Sequence, residues 1–339
     1  MNIADTGGEF ALIRRLARIV PGTDARVIKG IGDDAAVVQV APAPAPYLLI
    51  TTDILVEDRH FRRAWSSPEH IGEKAAECNI SDIAAMGGTP QWMVVALVLK
   101  ATEEVDWVEG LYRGLHRSCR RHGVTLLGGD TTQGPVATIS ITLLGSVTPH
   151  HLRLRSHARP GDLLVVTGPL GGSAAALALL EAGHTPSKYL MDKHRTPHCR
   201  MDVAGRIASV ARAMIDISDG LGSEVHHICE ASQVGAEIDA SAIPLHPDVL
   251  QAARTLGYEP LTWALSGGED FELLFSIPPE RMAELKQEGC AIHPVGRITV
   301  RQDGVSMIDR NGRRLPLPGG YDHFARRSAH SDTNQGGRK

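Results

Sequence analysis

Six short segments set acidic residues beside glycine or at the ends of apolar runs. Gly30-Ile31-Gly32-Asp33-Asp34 precedes one run and Thr51-Thr52-Asp53 closes another. Asn79-Ile80-Ser81-Asp82 lies in a helical pattern, and Gly128-Gly129-Asp130-Thr131-Thr132 follows a short β-type stretch. Asp216-Ile217-Ser218-Asp219-Gly220 and Gly267-Gly268-Glu269-Asp270 continue the pattern in the second half. Singly, each reads as a helix cap or a turn, since Asp and Ser satisfy backbone donors and glycine accepts tight turns. Together they describe carboxylates converging on one cleft, where they repel one another and raise each other's pKa unless cations lie between them. Hard oxygen donors, with the hydroxyls of Thr51, Thr52 and Ser218 adjacent, suit Mg²⁺, which completes its shell with water and phosphate oxygens. Carboxylates alone repel a polyphosphate; bridged by Mg²⁺ they bind it. Glycine pairs let backbone N–H groups approach phosphate oxygens. A P-loop is not expected, because no G-x-x-x-x-G-K-[ST] segment exists and Gly168-Pro169-Leu170-Gly171-Gly172-Ser173 lacks the lysine. The H-R-D and D-F-G signatures of protein kinases are absent too.

Regular elements must hold these segments in place. Apolar spacing predicts an amphipathic helix over Glu9–Val20, stopped by Pro21-Gly22. Strands follow over Ala35–Val40 and Tyr47–Thr52, joined by an Ala-Pro stretch whose prolines cannot donate to a ladder. A helix over Pro68–Met86 ends at Gly87-Gly88. Then come a strand over Gln91–Leu99, a helix over Glu103–Arg121, and strands over Val124–Leu127 and Val136–Val147. A polar connection, His150–Gly161, marks a boundary between a domain over 1–149 and a second over 150–325. There the pattern restarts: strand Leu163–Thr167, helices Ser173–Ala182 and Asp202–Ala213, strand Met214–Ile217, helix Gly220–Ala231, and strands Phe271–Ile277 and Ile292–Val295. Residues 326–339 are polar without apolar periodicity and are expected to be a disordered tail. Mixed strands and helices in both halves predict α+β or α/β architecture.

Bulk properties exclude other classes. With 35 Lys and Arg against 39 Asp and Glu, the net charge of −4 carries no basic footprint for nucleic acid. No apolar run is long enough to span a bilayer. The acidic, glycine-containing N-terminus does not read as a signal peptide, so none is expected and a cytoplasmic location is. Five cysteines lack C-x-x-C spacing, so neither a zinc site nor a disulfide framework is expected. The four tryptophans, Trp65, Trp92, Trp107 and Trp263, are read as packing residues.

The ordered set G-I-G-D-D, T-T-D, H-F, N-I-S-D-I-A-A-M-G, G-G-D-T-T, R-S-x-A-R-P-G-D, D-I-S-D-G-L, G-G-E-D-F-E-L and G-Y-D-H-F resembles the thiamine-monophosphate kinase family, from about Gly8 to Phe324. The chain departs from that family's usual pattern at Thr51, at Phe271 and in Asp58-Arg59 before His60-Phe61. The resemblance implies a fold like aminoimidazole ribonucleotide synthetase, with an N-terminal domain that pairs in a homodimer. It also implies ATP-dependent phosphorylation of thiamine monophosphate to thiamine diphosphate, the last step in making that cofactor. The implied metal ligands for several Mg²⁺ ions are Asp34, Thr51, Thr52, Asp53, Asp82, Asp130, Asp216 and Asp219. Asp53, Asp82, Asp130 and Asp219 would form the catalytic set. ATP would meet Tyr112, Gly129, Asp130, Arg155 and Ser218. Thiamine monophosphate would meet His60, Glu269 and Tyr321.

Phosphoryl transfer needs in-line positioning and charge neutralisation. Since the acceptor is already an anion, neither a phosphoenzyme nor a catalytic histidine is expected, and His60 is read as a donor to the acceptor phosphate. Related superfamily members fit less well. Selenophosphate synthetase would want a reactive N-terminal Cys, and none precedes Cys78. The hydrogenase-maturation dehydratase would want a C-terminal Cys, whereas this chain ends Gly-Gly-Arg-Lys. Aminoimidazole ribonucleotide synthetase matches the H-F, D-I-S-D-G-L and G-Y-D-H-F segments less well. A non-catalytic Mg²⁺–nucleotide binder would not need the full carboxylate set.

Overall fold

The computed structural model describes residues 9–19, 24–42 and 44–321. The tail expected over 326–339 and the Pro21-Gly22 stop lie outside those residues, as do the last three residues of G-Y-D-H-F.

After an opening helix α1 (Glu9–Ile19), a six-stranded sheet forms from β1 (Val27–Lys29), β2 (Ala36–Val38), β3 (Tyr47–Val56), β4 (Thr89–Leu99), β5 (Thr125–Gln133) and β6 (Thr138–Val147). Its order is β1-β2-β3-β6-β4-β5, antiparallel except for the parallel β4–β5 pair. β3 is longer than its sequence predicts. All ten of its residues pair with β6, so Thr51-Thr52-Asp53 sits inside a strand instead of ending one. Gly128-Gly129-Asp130 is likewise inside β5, drawn there by pairing with β4.

Helices α2 (Pro68–Ala85) and α3 (Val105–His122) cover one face of this sheet. α2 begins where Ser67 accepts the His70 N–H at 3.3 Å, with Pro68 supplying a preset φ at the first turn. Ion pairs Arg113–Glu69, Arg117–Glu73 and Arg121–Glu77 keep a constant offset, so α2 and α3 run parallel. The two helices approach closely at Gly72, where a Cβ would stand 2.1 Å from the Leu111 carbonyl oxygen. Gly72→Ala is therefore expected to cost about 1–3 kcal/mol through overpacking. Gly205→Ala, in a helix with open space around it, should instead gain about 0.5–1 kcal/mol. Thermal denaturation of the two variants checks both signs.

A second sheet has seven strands: β7 (Leu163–Val166), β8 (Ala213–Asp216), β9 (Gly235–Asp239), β10 (Leu273–Ile277), β11 (His293–Thr299), β12 (Val305–Ile308) and β13 (Arg314–Pro316). The order β13-β12-β9-β11-β7-β10-β8 contains one parallel pair, β12 with β9. The helices of this half are α4 (Gly172–Glu181), α5 (Lys188–Arg195), α6 (Met201–Val210), α7 (Leu221–Ser232), α8 (Pro247–Leu256), α9 (Pro260–Ser266) and α10 (Met282–Gln287). α2 is the shared spine of both halves. Its Ile71, Ile80 and Ile83 enter the core of the first sheet, while Ala84 and Ala85 pack with Val203, Ile207 and Met214 of the second. Buried on nearly all sides, α2 must pair every polar group it carries. The site is built on those groups.

The opposite face of the six-stranded sheet is open. Ile54 (54% exposed), Trp92 (43%) and Leu127 (63%) stand on it. Trp92 is thus only partly covered by its own chain, whereas Trp263 is buried as expected. Trp65 and Trp107 stack beneath the guanidinium groups of Arg62 and Arg63.

Candidate active site

Three carboxylates from three elements meet where α2 crosses between the sheets. Oxygens of Asp34 (the turn before β2), Asp82 (α2) and Asp216 (the end of β8) lie within 4.8 Å of one another. Alternation along β3 turns Thr51 and Asp53 toward α2. The Thr51 hydroxyl donates to Asp82, and the Asp53 N–H donates to Asn79 Oδ1 at 3.2 Å. Ser81 Oγ donates to Asp216 Oδ2 at 2.6 Å, tying α2 to β8.

Burial and mutual repulsion govern the protonation of this group. Burial, with Asp34 nearby, lifts Asp53 to about 6. Burial and then Asp34 lift Asp216 to about 8. Asp82 is pushed well above the carboxylate range by burial and by Asp53, Asp216 and Asp34. Arg155, from the connection between the sheets, pairs with Asp34, and its Nε lies 3.8 Å from Asp33 Oδ1. Burial works against that guanidinium, but Asp34 and Asp33 hold its pKa above the usual value.

Backbone bonds gather the next group. The Glu269 N–H donates to the Ser218 carbonyl at 2.7 Å, and the Tyr321 N–H donates to the Asp219 carbonyl at 2.9 Å. The Asp219 N–H donates to the buried Glu224 at 2.9 Å. Glu269 takes a left-handed φ of 67°, an uncommon conformation for a residue with a side chain. Its carboxylate pairs with Lys74 Nζ at 2.7 Å and accepts from Ser173 Oγ at 3.2 Å. Lys74 also donates to the His60 carbonyl at 2.9 Å, so one buried ammonium joins His60 to Glu269. The His60 ring accepts the Val56 N–H through Nδ1 at 3.0 Å.

Other expected site residues stand apart within the chain. The Thr52 side chain is on the opposite face of the sheet, where its hydroxyl donates to the Ile141 carbonyl at 2.9 Å. Asp130 is exposed and accepts the Thr131 N–H at 2.9 Å. It lies on edge strand β5, three strand positions from β3, which is about 14 Å at the usual strand spacing. Gly129 is required by β4 itself, since a Cβ there would stand 1.7 Å from the Val95 carbonyl oxygen. Tyr112 lines a groove of about 480 Å³ with Glu109, Arg113, His116 and Leu126, on the same side as β5.

Sequence reasoning quoted Asp33 and Asn79 within their segments without giving them a role, and missed Lys74 and Glu224. Lys74 had a findable signal: it precedes Asp82 by two helical turns and shares its face of α2. Glu224 had one too: it lies in the first turn of the helix read over Gly220–Ala231, where an acidic side chain can reach back to N–H groups before the helix.

The chain matches the model of the AIR synthase related protein N-terminal domain over residues 32–147 and that of the C-terminal domain over 159–309. It is 37% identical over 329 residues to a thiamine-monophosphate kinase from Haemophilus influenzae, covering 94% of this chain and 98% of the relative. It is also 37% identical over 333 residues to a thiamine-monophosphate kinase from Bacillus subtilis, covering 93% and 99%. The structure of AaThiL complexed with AMPPCP and TMP superposes with a TM-score of 0.85 at 34% identity, covering 96% of this chain and 99% of that one.

Proposed function

We infer that this chain, which belongs to the AIR synthase related proteins and within them to the thiamine-monophosphate kinases, transfers the γ-phosphoryl group of ATP to thiamine monophosphate, giving thiamine diphosphate and ADP. The observation that carries this reading is the convergence of Asp34, Asp82 and Asp216, with Asp34 and Asp216 buried and Asp82 half-buried. Such a cluster is unfavourable by itself and is stabilised when cations bridge it.

Mg²⁺ fits this donor set. Asp34, Asp53, Asp82 and Asp216, with the Thr51 hydroxyl, are hard oxygen ligands in excess over the single guanidinium beside them. When bound, the metal supplies the positive charge that draws the triphosphate in and offsets charge in the transition state. The chain's own residues do the positioning. Arg155, braced by Asp33 and Asp34, offers a fixed cation to the nucleotide. Lys74 holds Glu269 and the His60 segment in place before the acceptor arrives, which reduces the ordering cost on binding. The acceptor phosphate is already anionic, so no side chain need remove a proton from it.

Tyr112, Gly129 and Asp130 support a homodimer. They lie on or beside edge strand β5, three strand positions from β3, and the sheet face between exposes Ile54, Trp92 and Leu127. A second copy covering that face would bury the apolar patch and bring this edge to the partner's nucleotide. A cytoplasmic location fits the ATP dependence and the five unpaired cysteines. Among the described residues no helix is long and apolar enough to cross a membrane.

The test is ADP release from ATP and Mg²⁺, with thiamine monophosphate present and absent, and chromatographic identification of thiamine diphosphate. Product should require both substrates and vanish with EDTA; ATP binding without product would overturn the assignment.

A second expectation concerns Mg²⁺ and pH. Asp53 and Asp216 have folded pKa values of about 6 and about 8, above the unfolded carboxylate value. The folded state therefore holds protons that the unfolded state has lost, and metal-free stability falls as pH rises from about 4 to about 8. Mg²⁺ binds the ionised cluster and relieves that cost. The rise in Tm on adding Mg²⁺ should accordingly be larger at about pH 8.5 than at about pH 5.5. An equal rise at both would count against these carboxylates as the ligands.

A further inference from the structure

A second set of ligand-type side chains lies away from the carboxylates. Donor atoms of Glu77, His122 and Cys199 fall within 4.8 Å of one another. Glu77 is on α2, His122 closes α3, and Cys199 sits just before α6, so both halves of the chain contribute. Glu77 Oε1 is 3.0 Å from His122 Nε2, and Cys199 Sγ is 3.9 Å from the same nitrogen. Around a tetrahedral ion with bonds of about 2.0 Å to O and N and about 2.3 Å to S, these separations would be ~3.3 and ~3.5 Å. Shifts of roughly 0.3–0.4 Å convert one arrangement into the other. Glu77 is already oriented, because it accepts from Ser118 Oγ at 2.5 Å and from the Cys199 N–H at 3.0 Å. Glu77 and Cys199 are buried, and the His122 side chain, 11% exposed, marks the approach from solvent. Arg121 is the opposing charge, 3.0 Å from Glu77 Oε1, but it also reaches Glu73 and keeps that partner when a cation enters.

We propose that Glu77, His122 and Cys199 form a binding site for one soft divalent cation of the zinc class, with water completing the coordination. Thiolate and imidazole ligands favour such an ion over Mg²⁺, so the site is distinct in selectivity from the carboxylate cluster. On binding, the Cys199 thiol releases its proton to solvent. The His122 proton shared with Glu77 moves to Nδ1, freeing Nε2 as a ligand, so one net proton leaves per ion. The bound cation clamps the segment leading into α6 to α2, one turn before Ser81 and Asp82.

Cobalt(II) titrated into the reduced, metal-free full chain tests this, with excess Mg²⁺ present to occupy the carboxylate cluster. Saturation is expected at one equivalent, with a thiolate-to-cobalt band in the near ultraviolet, visible bands of tetrahedral intensity, and displacement by Zn²⁺. Cys199→Ser should remove the near-ultraviolet band and weaken binding by at least the ~10–100-fold typical of losing a group that merely supports a ligand, while phosphoryl transfer with Mg²⁺ persists. A wild-type spectrum without the thiolate band, or an unchanged spectrum in Cys199→Ser, overturns the proposal.

Discussion

Asp82→Asn is expected to lower kcat by on the order of 10³-fold, the scale for loss of a key electrostatic group, while raising the Tm of the metal-free protein. Both effects have one cause. Burial raises the Asp82 pKa, and three other carboxylates raise it further. Asn keeps the shape and can still accept the Thr51 hydroxyl bond, but it carries no charge. Without Mg²⁺, Asp82 must either repel Asp53, Asp216 and Asp34 or hold a proton that it would release on unfolding, and the neutral amide removes that cost. With Mg²⁺ a ligand is missing, and ATP meets less positive charge. Sites held in an unfavourable state for function commonly show this exchange of activity for stability. Steady-state kinetics with ATP and thiamine monophosphate, beside thermal melts in EDTA, give the two readouts. Near-normal turnover would remove Asp82 from the site, and a lower metal-free Tm would refute the repulsion.

Arg155→Leu should act in the opposite direction on stability. Its guanidinium, 17% exposed, is the cation bound to Asp34 and close to Asp33, whose side chains are almost completely buried. Removing one partner of a buried pair leaves its counter-charge uncompensated, at a cost of about 3–5 kcal/mol. A Tm fall on the order of 10 °C is expected for a chain of this size. The same change removes the cation expected to meet the triphosphate, so KM for ATP should rise while KM for thiamine monophosphate changes little. Mg²⁺ should recover part of the lost stability, because it can replace Arg155 as the counter-charge of Asp34. A normal KM for ATP would make Arg155 a brace for Asp33 and Asp34 and nothing more.

Much of the chemistry was legible along the chain because its units are local. Gly32-Asp33-Asp34, Ser81-Asp82 and Asp216-Ile217-Ser218-Asp219 each carry donor types readable without a fold, and apolar spacing located α2, β4 and β7 to within a few residues. The start of α2 at Pro68 was read correctly, and the structure adds the Ser67 cap before it, a local signal that depends only on neighbouring backbone. Partners distant in sequence were not legible. β3 and β5 run past their predicted ends because β6 and β4 supply hydrogen-bond partners, and no local pattern encodes that. β9, β12 and β13 went unread for the same reason, as did the short α5, α8, α9 and α10, whose stability comes from burial against neighbours more than from their own propensity.

The sequence by itself determined which side chains could hold Mg²⁺ and a phosphate, since that depends on residue type. Only the tertiary structure decided which of them meet. Asp34, Asp82 and Asp216 converge because α2 is buried between the two sheets, whereas Thr52 is turned away by strand alternation and Asp130 is set on a distant edge. The same burial joins Glu77 and His122 to Cys199, a set without any motif spacing. A buried polar group must find a partner wherever the fold offers one, and those partners lie across space instead of along the chain.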